Sequence, residues 1–102
     1  MVHHRLPTTL TIAEAKAAVE ALEGDLDAGE GPFEIDASAL QNFDTSAIAV
    51  LLEGRRQAQA LGRGIVVRDA PATMVELAGL YGVAALLGLE ARAGAASGPT
   101  AA

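Results

Sequence analysis

The 102-residue chain has no cysteine and no tryptophan, and only two phenylalanines and one tyrosine. Without cysteine it can form neither a disulfide nor a thiolate metal site. With 3% aromatic residues it is poorly equipped for an aromatic-lined pocket or a base-stacking platform. Positive charge is also scarce. Seven Lys and Arg against thirteen Asp and Glu give a net charge of −6, which opposes binding to a phosphate backbone, so no nucleic-acid partner is expected. The histidines are His3 and His4, adjacent at the start. They suit a solvated tail or an early strand better than a metal site, and no metal or other cofactor is expected. No apolar run approaches membrane-spanning length and no signal-peptide pattern is visible. The chain is therefore expected in the cytoplasm, without direct membrane insertion.

What is present is apolar and periodic. Half of the residues (51%) are apolar, and the length suits one domain. Val2 to Leu6 reads as a weak strand ending at Pro7. Thr11 followed by Glu14 is a capping-box pattern. Ile12, Ala15, Val19, Leu22 and Leu26 then recur at helical spacing and predict a buried stripe. Gly24, with Asp25 and Asp27 poorly placed for a last helical turn, predicts that this helix stops near Gly24. Phe33, Ile35 and Ala37 alternate with Glu34 and Asp36, as in a strand with one buried side. A long helix is expected from about Ser46 to Leu61, stopped by Gly62 and Gly64 and followed by a short buried strand, Ile65 to Val67. Pro71 suits the first position of a third helix, with Met74, Leu77, Ala78 and Tyr81 buried and Gly82 at its end. A last short apolar piece covers 83–89. Strands alternating with helices over short connections predict an α/β fold with a mostly parallel sheet and three to four helices. The domain is expected to span residues 1–92. Residues 93–102 have nothing to bury and are expected to be disordered.

One stretch does not fit a plain scaffold. In Asn42 to Leu52, the polar Asp44, Thr45 and Ser46 stand directly before six consecutive apolar residues. Each of the three is a good N-cap, because its side-chain oxygen accepts from the free N–H groups of a first helical turn. One cap is enough, so the cluster exceeds what capping requires. A helix N-terminus also favours negative charge, which makes Ser46 and Thr45 candidate phosphorylation sites. Ala47, Leu51, Gly54, Ala58 and Leu61 make one stripe for the core. Ile48, Ala49, Val50 and Leu52 are apolar too, so the first two turns need a second cover, either a neighbouring helix or a partner protein.

Phe33 to Val67 resembles a STAS domain, the family named for sulfate transporters and anti-sigma factor antagonists. Asp36-Ala37-Ser38 matches the family's strand end, and Asp44-Thr45-Ser46-Ala47-Ile48 matches its Asp-(Ser/Thr)-(Ser/Gly)-Gly-Leu helix start, with Ala47 for the usual glycine and Ile48 for the usual leucine. The likeness covers roughly Leu6 to Leu89. It implies a β/α superhelix of about four strands and a protein-binding module without catalysis of its own, docking through the helix that begins at this motif. Two branches of the family fit. In the anti-sigma factor antagonists a partner serine kinase phosphorylates the residue two after the motif Asp, here Ser46. The small cytoplasmic STAS subunits of Mla-type ABC transporters, which move phospholipids between the membranes of Gram-negative bacteria, carry a Thr directly after the Asp, here Thr45. They are also similar in a LxxLYxxxxLL segment, which Glu76 to Leu89 matches from Leu77 to Leu87. That segment favours the transporter branch, whose implied partner is the ATPase subunit; the inner membrane would be reached only through the complex. The antagonist branch implies an anti-sigma factor and its serine kinase.

The resemblance makes Asp44, Thr45, Ser46, Ile48, Leu52 and Arg55 the expected partner-binding residues, with the last three on the outward edge of the helix. No catalytic residue is expected. A nucleophilic Ser46 would need a histidine base, and both histidines lie at the far N-terminus. Gly62-Arg63-Gly64 is too short for a phosphate-cradling loop and precedes a strand.

Overall fold

The computed structural model describes residues 3–91. In chain order they form β1 (His4–Arg5), β2 (Thr9–Leu10), α1 (Ala15–Leu26), β3 (Phe33–Asp36), β4 (Asn42–Phe43), α2 (Thr45–Ala60), β5 (Ile65–Ala70), α3 (Ala72–Leu80) and β6 (Leu89–Ala91). Four strands make one parallel sheet in the order β1-β3-β5-β6, and β2 and β4 pair in a separate parallel ladder. Parallel neighbours require crossovers, which the three helices supply. The expected tail, 93–102, lies outside the described residues.

The alternation of β3 survives folding: Phe33, Ile35 and Ala37 are fully buried, while Glu34 and Asp36 are half-buried. β5 is longer than the Ile65–Val67 expected and runs on to Ala70, with Asp69 in the left-handed region at φ 57°. Pro71 stands just before α3, at its N-cap. Residues 83–88 are turns that lead into β6, a strand that the periodicity did not reveal. Gly88 explains its approach to β5. A Cβ there would lie 2.5 Å from the Ile65 carbonyl oxygen, and its φ of 59° is itself unfavourable for other residues.

α1 does not stop at Gly24. Burial of Leu22 and Leu26 carries the helix to Leu26, and Gly24 faces open space. The stripe is also rotated from the expected one. Ala18, Leu22 and Leu26 form it, Ala15 and Val19 pack at its edge, and Ile12 is 75% exposed. Arg63 closes the end of α1: it is 5% exposed and donates to the carbonyls of Leu26 (2.8 Å), Gly31 (2.7 Å) and Glu30 (3.3 Å). Its guanidinium lies 5.1 Å from the centre of the Phe33 ring.

α2 packs on α1, β5 and α3. α1 and α2 pack tightly at Gly54, where an added Cβ would meet Leu22 at 3.0 Å. Ala47, Leu51, Gly54 and Ala58 are buried as expected. Leu61, placed on the same stripe, ends the helix as its C-cap and is 51% exposed. In α3, Met74 and Ala78 are buried and Leu77 is half-buried, while Tyr81 sits at the C-cap, 57% exposed. His3 and His4 are part of the fold. His3 stacks on Phe33 and its Nδ1 accepts from the Glu34 N–H (3.0 Å), and His4 Nδ1 pairs with Asp25 at 2.6 Å.

Candidate functional site

The site is built around Asp44. Its extended backbone (φ −128°, ψ −165°) turns the chain into α2, and its side chain caps the helix through Oδ1, which accepts from the Ser46 N–H at 2.8 Å. Oδ2 accepts from the Ile12 N–H at 3.3 Å. One carboxylate thus caps α2 and ties it to the turn before α1. The Ser46 N–H, above all, holds the Asp44 carboxyl below its ordinary range, with smaller help from the Ser46 side chain and the Ile12 N–H.

The turn itself is tightened by Glu14. Its Oε1 accepts from both the N–H and the hydroxyl of Thr11 at 2.7 Å. This is one half of the expected capping box. The Thr11 N–H and then its hydroxyl hold the Glu14 carboxyl low, opposed in part by the nearby Asp44 charge.

Because Asp44 caps, Thr45 need not. Thr45 is exposed, and its hydroxyl has no hydrogen-bond partner among the described residues. Ser46 is half-buried beside Asp44. Along α2 from Thr45, exposed Ala49, half-buried Leu52 and exposed Arg56 follow at +4, +7 and +11, the spacing of one helix face. Arg56 pairs with Glu53, whose carboxyl is thereby held down to about 2, with Gln57 contributing. Gln57 also reaches Glu23 of α1 at 2.6 Å. Arg55 is half-buried and donates to Gln59 (3.1 Å).

Of the residues expected at the contact, Asp44, Thr45 and Ser46 cluster at the start of α2, and Leu52 and Arg55 reach its surface. Ile48 does not lie on the outward edge: it is 3% exposed and belongs to the core, as does Val50 at 2%. The domain itself therefore covers these two of the four extra apolar side chains, leaving Ala49 and part of Leu52 open. Ile12 is the residue that sequence reasoning missed. It stands in a turn before α1, where the helical period does not place a side chain. Neither that turn nor the bond to Asp44, 32 residues away, is legible in the spacing.

Neither imidazole bonds these hydroxyls: His3 Nδ1 accepts from the Glu34 N–H, and His4 Nδ1 pairs with Asp25. Among the described residues no group of carboxylates and imidazoles is placed to hold a metal ion. No helix there is long and apolar enough to cross a membrane.

The described residues thus form a parallel α/β sheet with a capped, part-apolar helix start at its margin. A family model described as "Mlab, STAS domain" matches residues 3–96, nearly the whole chain, so the chain belongs to the STAS family, of the Mlab type. STAS domains are protein-interaction modules and generally non-catalytic. No curated protein matches the chain.

Proposed function

We propose that this STAS domain is a cytoplasmic docking subunit that binds, and stabilises or regulates, the ATPase subunit of an Mla-type phospholipid ABC transporter. It reaches the inner membrane only through that complex. The observation that carries the reading is the division of labour at the start of α2: Asp44 does the capping and leaves the Thr45 hydroxyl exposed and unpaired. Thr45 is the centre of the contact, flanked by Asp44, Ser46, Leu52 and Arg55. Ile48 supports this face from beneath. The Mlab description of the family supports the transporter branch over the antagonist branch. A phosphate on Ser46 would stand beside the ionised Asp44, as in the antagonist motif itself, so this neighbour does not separate the two branches. The independently folding part is residues 1–92, with 93–102 dispensable.

Thr45→Glu tests the reading. An acidic residue suits a helix N-terminus, so the variant folds, with a melting curve close to that of the parent. Thr45→Ala likewise loses little stability, since the cap is Asp44. In the interface, by contrast, an unpaired charge at position 45 abolishes co-purification with the ATPase subunit. A folded Thr45→Glu protein that retains the ATPase at normal strength contradicts the reading. Recovery of a small histidine-kinase-like ATPase from the native host in place of the transporter ATPase favours the antagonist branch.

A further inference from the structure

Ile12, beside the start of α2, is 75% exposed, and it is not in a loose loop. Its N–H is held by Asp44 (3.3 Å), its carbonyl accepts from the Ala15 N–H (3.4 Å), and the Thr11–Glu14 bonds on either side close the turn. Scattered exposed apolar residues need no explanation. This one is pinned, in register, beside an exposed helix start whose surface continues through Thr45, Ala49 and Leu52. A side chain carried on backbone already fixed in the free protein adds contact area without the loop-ordering cost that weakens most interfaces.

We propose that the turn from Thr11 to Glu14 is the second half of the docking surface, with Ile12 as its apolar anchor, and that the ATPase subunit meets it with an apolar pocket edged by cationic side chains. The proposal rests on the docking role assigned to Thr45 and adds both a residue and the partner's chemistry. Two arguments select this occupant. The Ile12 turn is continuous with the Thr45 face through the Asp44 carboxylate. The two carboxylates that frame Ile12, Asp44 and Glu14, carry charge at neutral pH, so the facing surface is complementary when it is basic. A second copy of this chain, with its net charge of −6 and the same acidic frame, is a poor match for that rim.

The experiment measures binding of purified transporter ATPase subunit to the parent chain, Ile12→Ala, Ile12→Lys and Thr45→Glu, at low and high salt, beside melting curves and sedimentation of each protein. Ile12→Ala is expected to keep the parent's melting temperature and to weaken binding by about tenfold or more. Ile12→Lys, which places a cation against the basic rim, is expected to weaken it further, and binding of the parent to fall as salt rises. Parent-like binding by Ile12→Ala, with binding lost in Thr45→Glu, overturns this proposal and leaves the docking role standing. Salt-insensitive binding overturns the cationic rim. Failure of the parent to bind the ATPase overturns the docking role, and this proposal with it. Self-association of the parent that disappears in Ile12→Lys makes a second copy the occupant and overturns the choice of the ATPase.

Discussion

The two ends of the α1–α2 pair use the same device to opposite ends. At one end a charged side chain, Arg63, bridges distant segments: it donates to three carbonyls, rests on Phe33 and is 5% exposed. At the other end a second charged side chain, Asp44, bridges the start of α2 to the turn before α1, yet it stays exposed and leaves Ile12 and Thr45 facing outward. Both satisfy free backbone groups at helix ends. Only the Arg63 end is sealed. The difference separates a bond that holds the fold together from one that holds a surface in place, and a substitution at each end should show it.

The largest expected effect belongs to the sealed end. Arg63→Ala leaves the buried Leu26 carbonyl, and the part-buried ones of Glu30 and Gly31, without their charged donor and removes the cation from the C-terminus of α1, a loss of roughly 3 kcal/mol in denaturant unfolding. Binding by the fraction that remains folded should be normal, because Arg63 is far from Thr45 along α2. A loss below about 1 kcal/mol would mean that Leu22 and Leu26 close α1 without help, and the contrast between the ends would collapse.

A smaller effect sharpens the contrast through acid. Accepted hydrogen bonds depress the carboxyl pKa values of Asp44 and Glu14 below the ordinary 3.8 and 4.5. A group depressed in the folded state contributes stability above its unfolded pKa and loses it as pH falls through its folded value. The open end should therefore weaken below about pH 4.5, while the Arg63 guanidinium stays charged throughout. Glu53, held down to about 2 chiefly by Arg56, adds to the acid loss in any variant that keeps it. Asp44→Asn should show a shallower fall in melting temperature between about pH 5 and pH 3 than the parent, because one depressed carboxyl no longer titrates. Equal slopes would mean that Asp44 contributes little to the acid response.

Local patterns carried much of this structure into the sequence. The period-two alternation from Phe33 to Ala37 and the Asp44 cap depend on near neighbours, and both are in place. What was illegible depends on contacts across the fold. The end of α1 moves from Gly24 to Leu26 because of buried leucines and an arginine 37 residues further on. β6 exists because Gly88 lets two backbones approach, which no apolar count around it announces. At the candidate site, Asp44, Thr45 and Ser46 were visible as surplus caps. Ile48 looked outward because six apolar residues in a row hide which of them the domain itself will cover. Ile12 looked inward because it stands where a helical stripe would begin, while the chain there is still a turn.

In the function proposed above, the open end is the docking end. Hydrogen–deuterium exchange of the chain, alone and with the transporter ATPase subunit, tests it most directly. Slowed exchange is expected in peptides covering 11–15 and 44–52 on complex formation, with peptides covering 26–31 and 61–64 unchanged. Protection confined to the Arg63 end, or to α3 and the turns of 81–88, with the start of α2 unaffected, would contradict it.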